Sequence, residues 1–269
     1  MNEPAAQMYE TRDGRMLGLR GDAYVSRSLE LYGELSPPER QLLEQLVRPG
    51  QTVVEVGANI GAFTLALARR CAPGPLYAFE PQQRIFQLLC ANLALNDIGN
   101  VVALPEACGD AEGQALIPPI DYAGQNNFGG VSLQPAAGAA RGQRVRVRTL
   151  DSLDLPACHL LKVDVEGFEP QVLRGARETI LRTRPILYVE NDRAAQQGEV
   201  IGLMADMGYR LYWHTPALYA PGNFKGETQN VFGRIVSVNV LGLPRETGRR
   251  VGDAEEIDPA NWASPVRVG

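Results

Sequence analysis

Between residues 52 and 70 the chain passes from a short apolar stretch through a glycine-bounded turn into an amphipathic stretch, with no residue to spare. Residues 52–56 read as a strand, Gly57 to Asn59 as the turn, and residues 60–70 as a helix with Ile60, Phe63, Thr64 and Leu67 on one face. A strand feeding straight into a helix must fold that helix back onto a sheet, which commits the chain to an α/β architecture. The rhythm repeats at once. Residues 76–79 form a strand ending in Glu80, Pro81 opens a helix that runs to about residue 95, and residues 100–104 form a third strand.

After an interruption at about 105–159, the rhythm resumes with strand 160–163, a helix at about 168–181, strand 186–189 and a helix at about 194–207. Two last strands, 209–213 and 234–241, are joined by a loop without helical periodicity, so they are expected to pair antiparallel at a sheet edge. The total is a single, doubly wound, seven-stranded and mostly parallel sheet with helices on both faces. The interruption is rich in Gly, Pro, Asn and Gln and carries one clear alternation, Arg144-Val-Arg-Val-Arg148, with valines inward and arginines outward. It is expected to be an insertion with extra strands. Ahead of the first unit, Ser36-Pro-Pro-Glu39 has capping-box spacing with proline at the first helical position, and Leu42, Leu43, Leu46 and Val47 form the apolar stripe. Residues 1–49 are thus expected to be a helical extension packed on the core, 50–245 the main domain, and 246–269 a tail of undetermined fold.

A chain of 269 residues suits one large domain with appendages, and 45 % hydrophobic with 21 % charged residues is ordinary globular usage. The net charge of -5 lacks the cationic surplus that nucleic-acid backbones demand, so no nucleic-acid partner is expected. Cys71, Cys90, Cys108 and Cys158 form no C-x-x-C pair, which disfavours a zinc knuckle or a disulfide framework and fits a reducing, cytoplasmic setting. Neither a signal peptide nor a run of ~20 apolar residues is present, so no membrane association is expected.

In doubly wound sheets, ligands lie outside the carboxyl ends of the strands, where strand order reverses. That rule selects Gly57, Asn59 and Gly61 after the first strand, Glu80 after the second, Asp164 and Glu166 after the fourth, Glu190, Asn191 and Asp192 after the fifth, and His214 after the sixth. The glycine turn by itself allows close packing as readily as ligand approach. Glu55, two residues ahead of it, discriminates: a carboxylate there repels a pyrophosphate and suits a cofactor bearing sulfonium and ammonium groups. Glu80 stands where an acid can accept both ribose hydroxyls of an adenosine cofactor, a role that would serve NAD equally.

Three segments, Val54-Glu-Val-Gly-Ala-Asn-Ile-Gly-Ala-Phe-Thr64, Ala78-Phe-Glu-Pro81 and Leu161-Lys-Val-Asp-Val-Glu-Gly-Phe-Glu169, together resemble the FkbM-like family of class I methyltransferases. The resemblance covers about residues 50–245, and the third segment is its most specific part. It implies a Rossmann-like seven-stranded sheet, S-adenosyl-L-methionine as cofactor, and O-methylation of a hydroxyl on a sugar, glycan or polyketide-type natural product. It also implies that Glu55, Gly57, Asn59 and Gly61 surround the methionine part, Glu80 the ribose, and Ala107 to Asp110 the adenine, with Asp164 facing both cofactor and acceptor.

Methyl transfer to a hydroxyl needs aligned reactants, excluded water and a proton acceptor, for which His214, Asp192 and Asp164 are the candidates. His159, the only other histidine, precedes its strand and belongs to the opposite edge. Tyr212, Trp213, Tyr219 and Phe224 are candidates for stacking on a sugar, and Asn223, Lys225 and Asn230 for reading hydroxyls. No metal ion is expected, because carboxylates at a strand edge usually accept hydrogen bonds. The expected partner is a small-molecule or glycan acceptor, and the chain is compatible with a homodimer. Two other classes share the sheet. An NAD-dependent oxidoreductase would need glycine at Asn59 to complete its fingerprint, and a non-catalytic adenosyl-binding module would bind cofactor without a base.

Overall fold

The computed structural model describes residues 5–122, 124–135, 141–252 and 254–266. The chain opens with an antiparallel hairpin, β1 (Ala6–Thr11) and β2 (Gly14–Leu19), followed by α1 (Val25–Tyr32) and α2 (Pro37–Leu46). The expected all-helical extension therefore begins with strands. The missed signal is a period of two around Arg12-Asp13-Gly14, which buries Tyr9, Thr11 and Met16 on one face. The hairpin is fastened to the main domain by Asn92, whose amide accepts from Leu17 N at 2.6 Å and donates to Leu17 O at 2.9 Å and Ile60 O at 2.8 Å. Arg40 ties α2 to the hairpin turn through Asp13 at 2.9 Å.

The expected capping box at Ser36 does not form. Ser36 takes φ +38°, which turns its hydroxyl away from the helix amides to donate to Ala217 O at 3.2 Å. Glu39 points inward instead and is buried.

The main domain contains β3 (Val53–Val56), α3 (Thr64–Cys71), β4 (Leu76–Phe79), α4 (Gln83–Leu95) and β5 (Val101–Leu104). The insertion follows as β6 (Ala107–Cys108), β7 (Gly113–Ile117), β8 (Gln134–Pro135) and β9 (Gln143–Arg148), a separate sheet of order β6-β9-β7-β8. Val145 and Val147 face its interior, as the alternation foretells. The domain resumes with β10 (Leu160–Val163), α5 (Glu169–Gly175), α6 (Arg177–Thr183), β11 (Ile186–Glu190), α7 (Gln197–Asp206), β12 (Tyr209–His214) and β13 (Asn239–Pro244).

These strands form a seven-stranded sheet of order β12-β13-β11-β10-β3-β4-β5, parallel except for β13, which runs antiparallel to both its neighbours. It is the mixed α/β, mostly parallel sheet that the alternation requires. Val53 turns to a core layer with Leu65, Leu67 and Leu89 of α3 and α4, while Val54, Val56, Leu161 and Val163 meet Val172, Ile180 and Met204 of α5 to α7 on the other face. The last strand begins five residues later than expected: residues 234–238 belong to the connection, and the wholly buried run from Asn239 to Pro244 takes the slot between β11 and β12. The helix expected at 168–181 is broken at Ala176, where Gly175 packs so closely that a Cβ would sit 1.8 Å from Gly109 O. The tail runs along β12 through Ile257 N to Leu211 O at 2.7 Å and sets Trp262 against Trp213. Among the described residues no helix is long and apolar enough to cross a membrane.

Candidate active site

The chain builds outward from β3 through β4 to β5, then crosses back to β10 and β11, so the switch point lies between β3 and β10. A cleft of about 420 Å³ opens at their carboxyl ends. Gly57 forms its apex. Its φ of +88° suits glycine, and a Cβ there would lie 1.8 Å from Asp164 O, so the ends of β3 and β10 can meet only without a side chain. Asn59, at φ +51°, lines the cleft and donates its backbone N–H to Glu80 Oε2 at 3.0 Å. Gly61 lies behind the turn, against Leu89 and Leu65, and does not line the cleft. The helix expected from Ile60 starts only at Thr64, because residues 58–63 are spent on the turn.

Charge is concentrated at the floor. Lys162 pairs with Glu55 across the β3–β10 ladder and is two strand positions before Asp164, so the three side chains share one face. Its ammonium, 1 % exposed, lies 3.0 Å from Asp164 Oδ2 and 4.0 Å from Glu55 Oε1, over the Phe63 ring. Burial would push this ammonium down, yet Asp164, Glu55 and Glu39 together hold it above the usual lysine range. The carboxylates bear the converse cost. Burial raises Glu55 to about 7, against the pull of Lys162 and the Thr64 hydroxyl that donates to it at 2.7 Å, and raises Glu39 to about 7 against Lys162.

Glu80 is 4 % exposed and accepts Asn59 N on one oxygen and Gln82 N, at 2.8 Å, on the other. Burial again lifts it to about 7. It stands between the cleft and a narrow slot of about 40 Å³ walled by Phe79, Ala107, Ile117 and Val131. Ala107 thus falls in the slot, whereas Asp110 is exposed and lines neither cavity. The insertion closes the cleft through Asn127 and Gly129.

Of the three expected proton acceptors, Asp164 and Asp192 line the cleft. His214 ends β12 but stands behind Tyr188, its Nδ1 2.9 Å from the Tyr188 hydroxyl, and does not line the cleft. Burial pushes the imidazole down. Glu166, Glu190 and Asp192 bring one oxygen each to within 4.8 Å of one another, a spacing that can hold a cation, but the Arg193 guanidinium already bonds Glu166 and lies 3.4 Å from Asp192. Burial, with Asp164 next, drives the Glu190 carboxyl well up. Asn191 is buried and exchanges hydrogen bonds with Gln197.

The proposed sugar platform is not in the cleft. Tyr212 is core, Trp213 packs on Trp262, Tyr219 on Tyr32, and Phe224 lies under the Arg12 guanidinium. Asn223, Lys225 and Asn230 bond loop and helix carbonyls. The outer wall is instead Tyr24, Leu35 and Glu39 from the N-terminal extension, facing Leu218 and Ile235 from the β12–β13 connection. Sequence spacing gave no notice of Glu39, because capping-box logic assigns that position to the helix terminus.

A methyltransferase FkbM domain model matches residues 55–211, more than half of the chain. Among curated proteins, the chain is similar to methyltransferase sdnD of Sordaria araneosa, 28 % identical with 64 % of this chain and 78 % of that protein covered. It is likewise similar to the 31-O-demethyl-FK506 methyltransferase FkbM of Streptomyces tacrolimicus, 26 % identical with 65 % and 78 % covered. Among solved structures, precorrin 8w decarboxylase of Methanobacterium thermoautotrophicum shares the fold, with a TM-score of 0.51 at 15 % identity over 83 % of this chain and 97 % of that one. With the Gly57 apex, the Glu80 slot and the floor of the switch-point cleft inside the matched segment, and its outer wall supplied by the flanks, the chain belongs to the FkbM family of methyltransferases.

Proposed function

We propose that the chain transfers a methyl group from S-adenosyl-L-methionine to a hydroxyl of a small-molecule acceptor, of the sugar, glycan or polyketide type. One observation carries the reading: the cleft sets one buried ammonium among three carboxylates, Asp164 and Glu55 on the floor and Glu39 on the wall, beside a slot that ends at Glu80. Such a floor is short of positive charge. The donor fits on those terms. Glu55, Asn59 and Asp164 would hold its amino-acid part, Glu80 the ribose, and the slot beside Ala107 the adenine. When bound, it supplies an electrophilic methyl carbon on a cationic sulfur.

The protein's own work is to position and to exclude water. The Gly57 apex lets the Asp164 backbone approach the turn after β3, where the donor would lie, and the outer wall would close over the acceptor. Hydroxyl as the accepting atom is favoured by the name of the Streptomyces relative, whose substrate is a 31-O-demethyl compound. NAD would set a pyrophosphate against Glu55, Asp164 and Glu39, with Lys162, already held by those carboxylates, as the nearest cation to offset the repulsion.

Calorimetric titration with S-adenosyl-L-homocysteine and with NAD separates the two donors, and mass spectrometry of methyl glycosides and macrolides incubated with labelled S-adenosyl-L-methionine tests transfer. Tight NAD binding with no response to the adenosyl ligand, or label that appears on amines and never on hydroxyls, would sink this reading.

A further inference from the structure

We propose that Glu39 receives the acceptor's hydroxyl proton and that Tyr188 and His214 form the path by which the proton leaves. This rests on the O-methylation reading above. Glu39 lines the cleft, is 3 % exposed and is carried by α2, outside the segment that holds the donor floor. Several of the other carboxylates there are engaged, whereas Glu190, which also lines the cleft, keeps an unpartnered Oε2. Asp164 takes the Lys162 ammonium, Asp192 lies beside Arg193, and Glu55 holds the Thr64 hydroxyl. A first-turn acid in α2 has no need to be buried, since an exposed one would meet the helix N-terminus equally well.

Behind Glu39 stands Tyr188, nearly inaccessible, whose hydroxyl faces Glu39 on one side and His214 Nδ1, at 2.9 Å, on the other. His214 is half-buried at the end of β12 and reaches solvent. The order is therefore carboxylate, hydroxyl, imidazole, from closed cleft to open surface. In the step, the acceptor oxygen bonds the methyl carbon, the carbon–sulfur bond breaks with its electron pair left on sulfur, and the O–H proton passes to Glu39. One positive charge on sulfur and one negative charge on the carboxylate vanish together. Tyr188 then accepts that proton while passing its own to Nδ1, and His214 releases one from its other nitrogen to water. The groups facing Glu39 are Lys162, Asp164, Glu55, Ser36 and Tyr188, and with burial dominant its carboxyl titrates about 7, suited to proton exchange near neutrality.

The test uses the full chain with Glu39→Gln, Tyr188→Phe and His214→Ala. Each is titrated with S-adenosyl-L-homocysteine and assayed at saturating donor on an acceptor that the wild type methylates. With only two histidines, the His214 ring nitrogens can be followed directly by 15N NMR. For Glu39→Gln we expect homocysteine-ligand affinity within about threefold of wild type, kcat down by about 100-fold with loss of the acidic limb of its pH profile, and a displaced His214 titration. Tyr188→Phe and His214→Ala should each lower kcat by about tenfold. Tyr188→Phe keeps the ring and so tests the path even if Glu39→Gln fails to fold.

Wild-type turnover in Glu39→Gln, or unchanged kcat and His214 titration in Tyr188→Phe, overturns the proposal while leaving O-methylation standing. Equal losses of ligand affinity and turnover in Glu39→Gln overturn it too, making Glu39 a donor contact. Failure of the wild type to methylate any hydroxyl brings down the O-methylation reading, and the base with it.

Discussion

The floor of the cleft and its outer wall are assembled in different ways. The floor comes from strand ends of one sheet, Glu55 on β3 and Gly57 just after it, Glu80 after β4, and Lys162 on β10 with Asp164 just after it, held in register by the ladders themselves. The wall comes from the two flanks of the chain: Tyr24, Leu35 and Glu39 from one side, Leu218 and Ile235 from the other. The two flanks are joined by side chains, with Tyr32 against Tyr219 and Phe232, Ser36 bonded to Ala217 O, and Lys225 Nζ on Leu29 O at 3.0 Å. A floor fixed by backbone ladders tolerates little change, whereas a wall fixed by side-chain packing can be rebuilt for another acceptor without disturbing the donor.

If that contrast is right, the largest effect belongs to Gly57→Ala. A methyl group 1.8 Å from Asp164 O must force β3 and β10 apart, and we expect affinity for S-adenosyl-L-homocysteine to fall by more than about 100-fold, or the fold to be lost. Calorimetry and a thermal melt read this together, and a variant that binds normally would break the distinction between floor and wall. Glu80→Leu comes next. It strands the Asn59 and Gln82 amides, at about 1–3 kcal/mol for each buried group left unpaired, and should weaken the same ligand by about 30-fold.

On the wall, Leu218→Ala and Ile235→Ala are expected to raise the acceptor KM by about tenfold while the donor affinity stays put. Parallel losses in both constants would mean that wall and floor are one unit.

The smallest effect is on stability. Burial raises Glu39, Glu55, Glu80 and Glu166 to about 7 from an ordinary 4.5, so the folded chain keeps protons that the unfolded chain has released over that interval. Their contribution is fully present below 4.5 and is lost as pH rises through about 7. Lys162, shifted up, keeps its contribution until strongly alkaline pH. The unliganded protein should therefore melt roughly 5 °C lower at about pH 8 than at about pH 5, with a shallower decline in Glu39→Gln. A flat profile would show that the floor's charges are solvated and that the contrast in burial is overstated.

The same contrast accounts for what could be read from sequence. Period and turn chemistry are local, so the strands at 76–79 and 160–163, the Gly57 turn and the Glu80 strand end are all visible in windows of ten residues. Even there the turn between Ala58 and Phe63 consumes what periodicity counts as helix, and Gly61 is spent on packing against Leu89. Asp110 misses the slot because the chain turns outward after the two-residue β6. Lys162 was legible as part of a motif, but its role was not, since only the β3–β10 register places it beside Glu55. Glu39 and Leu218, far apart in sequence, line one cleft, and no local pattern encodes that. The aromatic residues at 212–224 were misplaced for a related reason: aromatic character marks a side chain that will pack, and here α1, the tail and the sheet itself offer the packing.

The solitary Lys162 ammonium also bears on turnover after the chemistry. A floor short of positive charge grips a cationic sulfur more firmly than the neutral thioether that remains once the methyl group has gone. On the proposed reading, the protein would relax its hold on the spent ligand by electrostatics, with no moving part required. This discrimination should widen as Glu39 and Glu55 ionise, so the affinity ratio of S-adenosyl-L-methionine to its demethylated product should be larger at about pH 8 than at about pH 6, with product inhibition receding in step. Titration of both ligands at the two pH values measures it, and a constant ratio would mean that the floor does not sense the sulfur's charge.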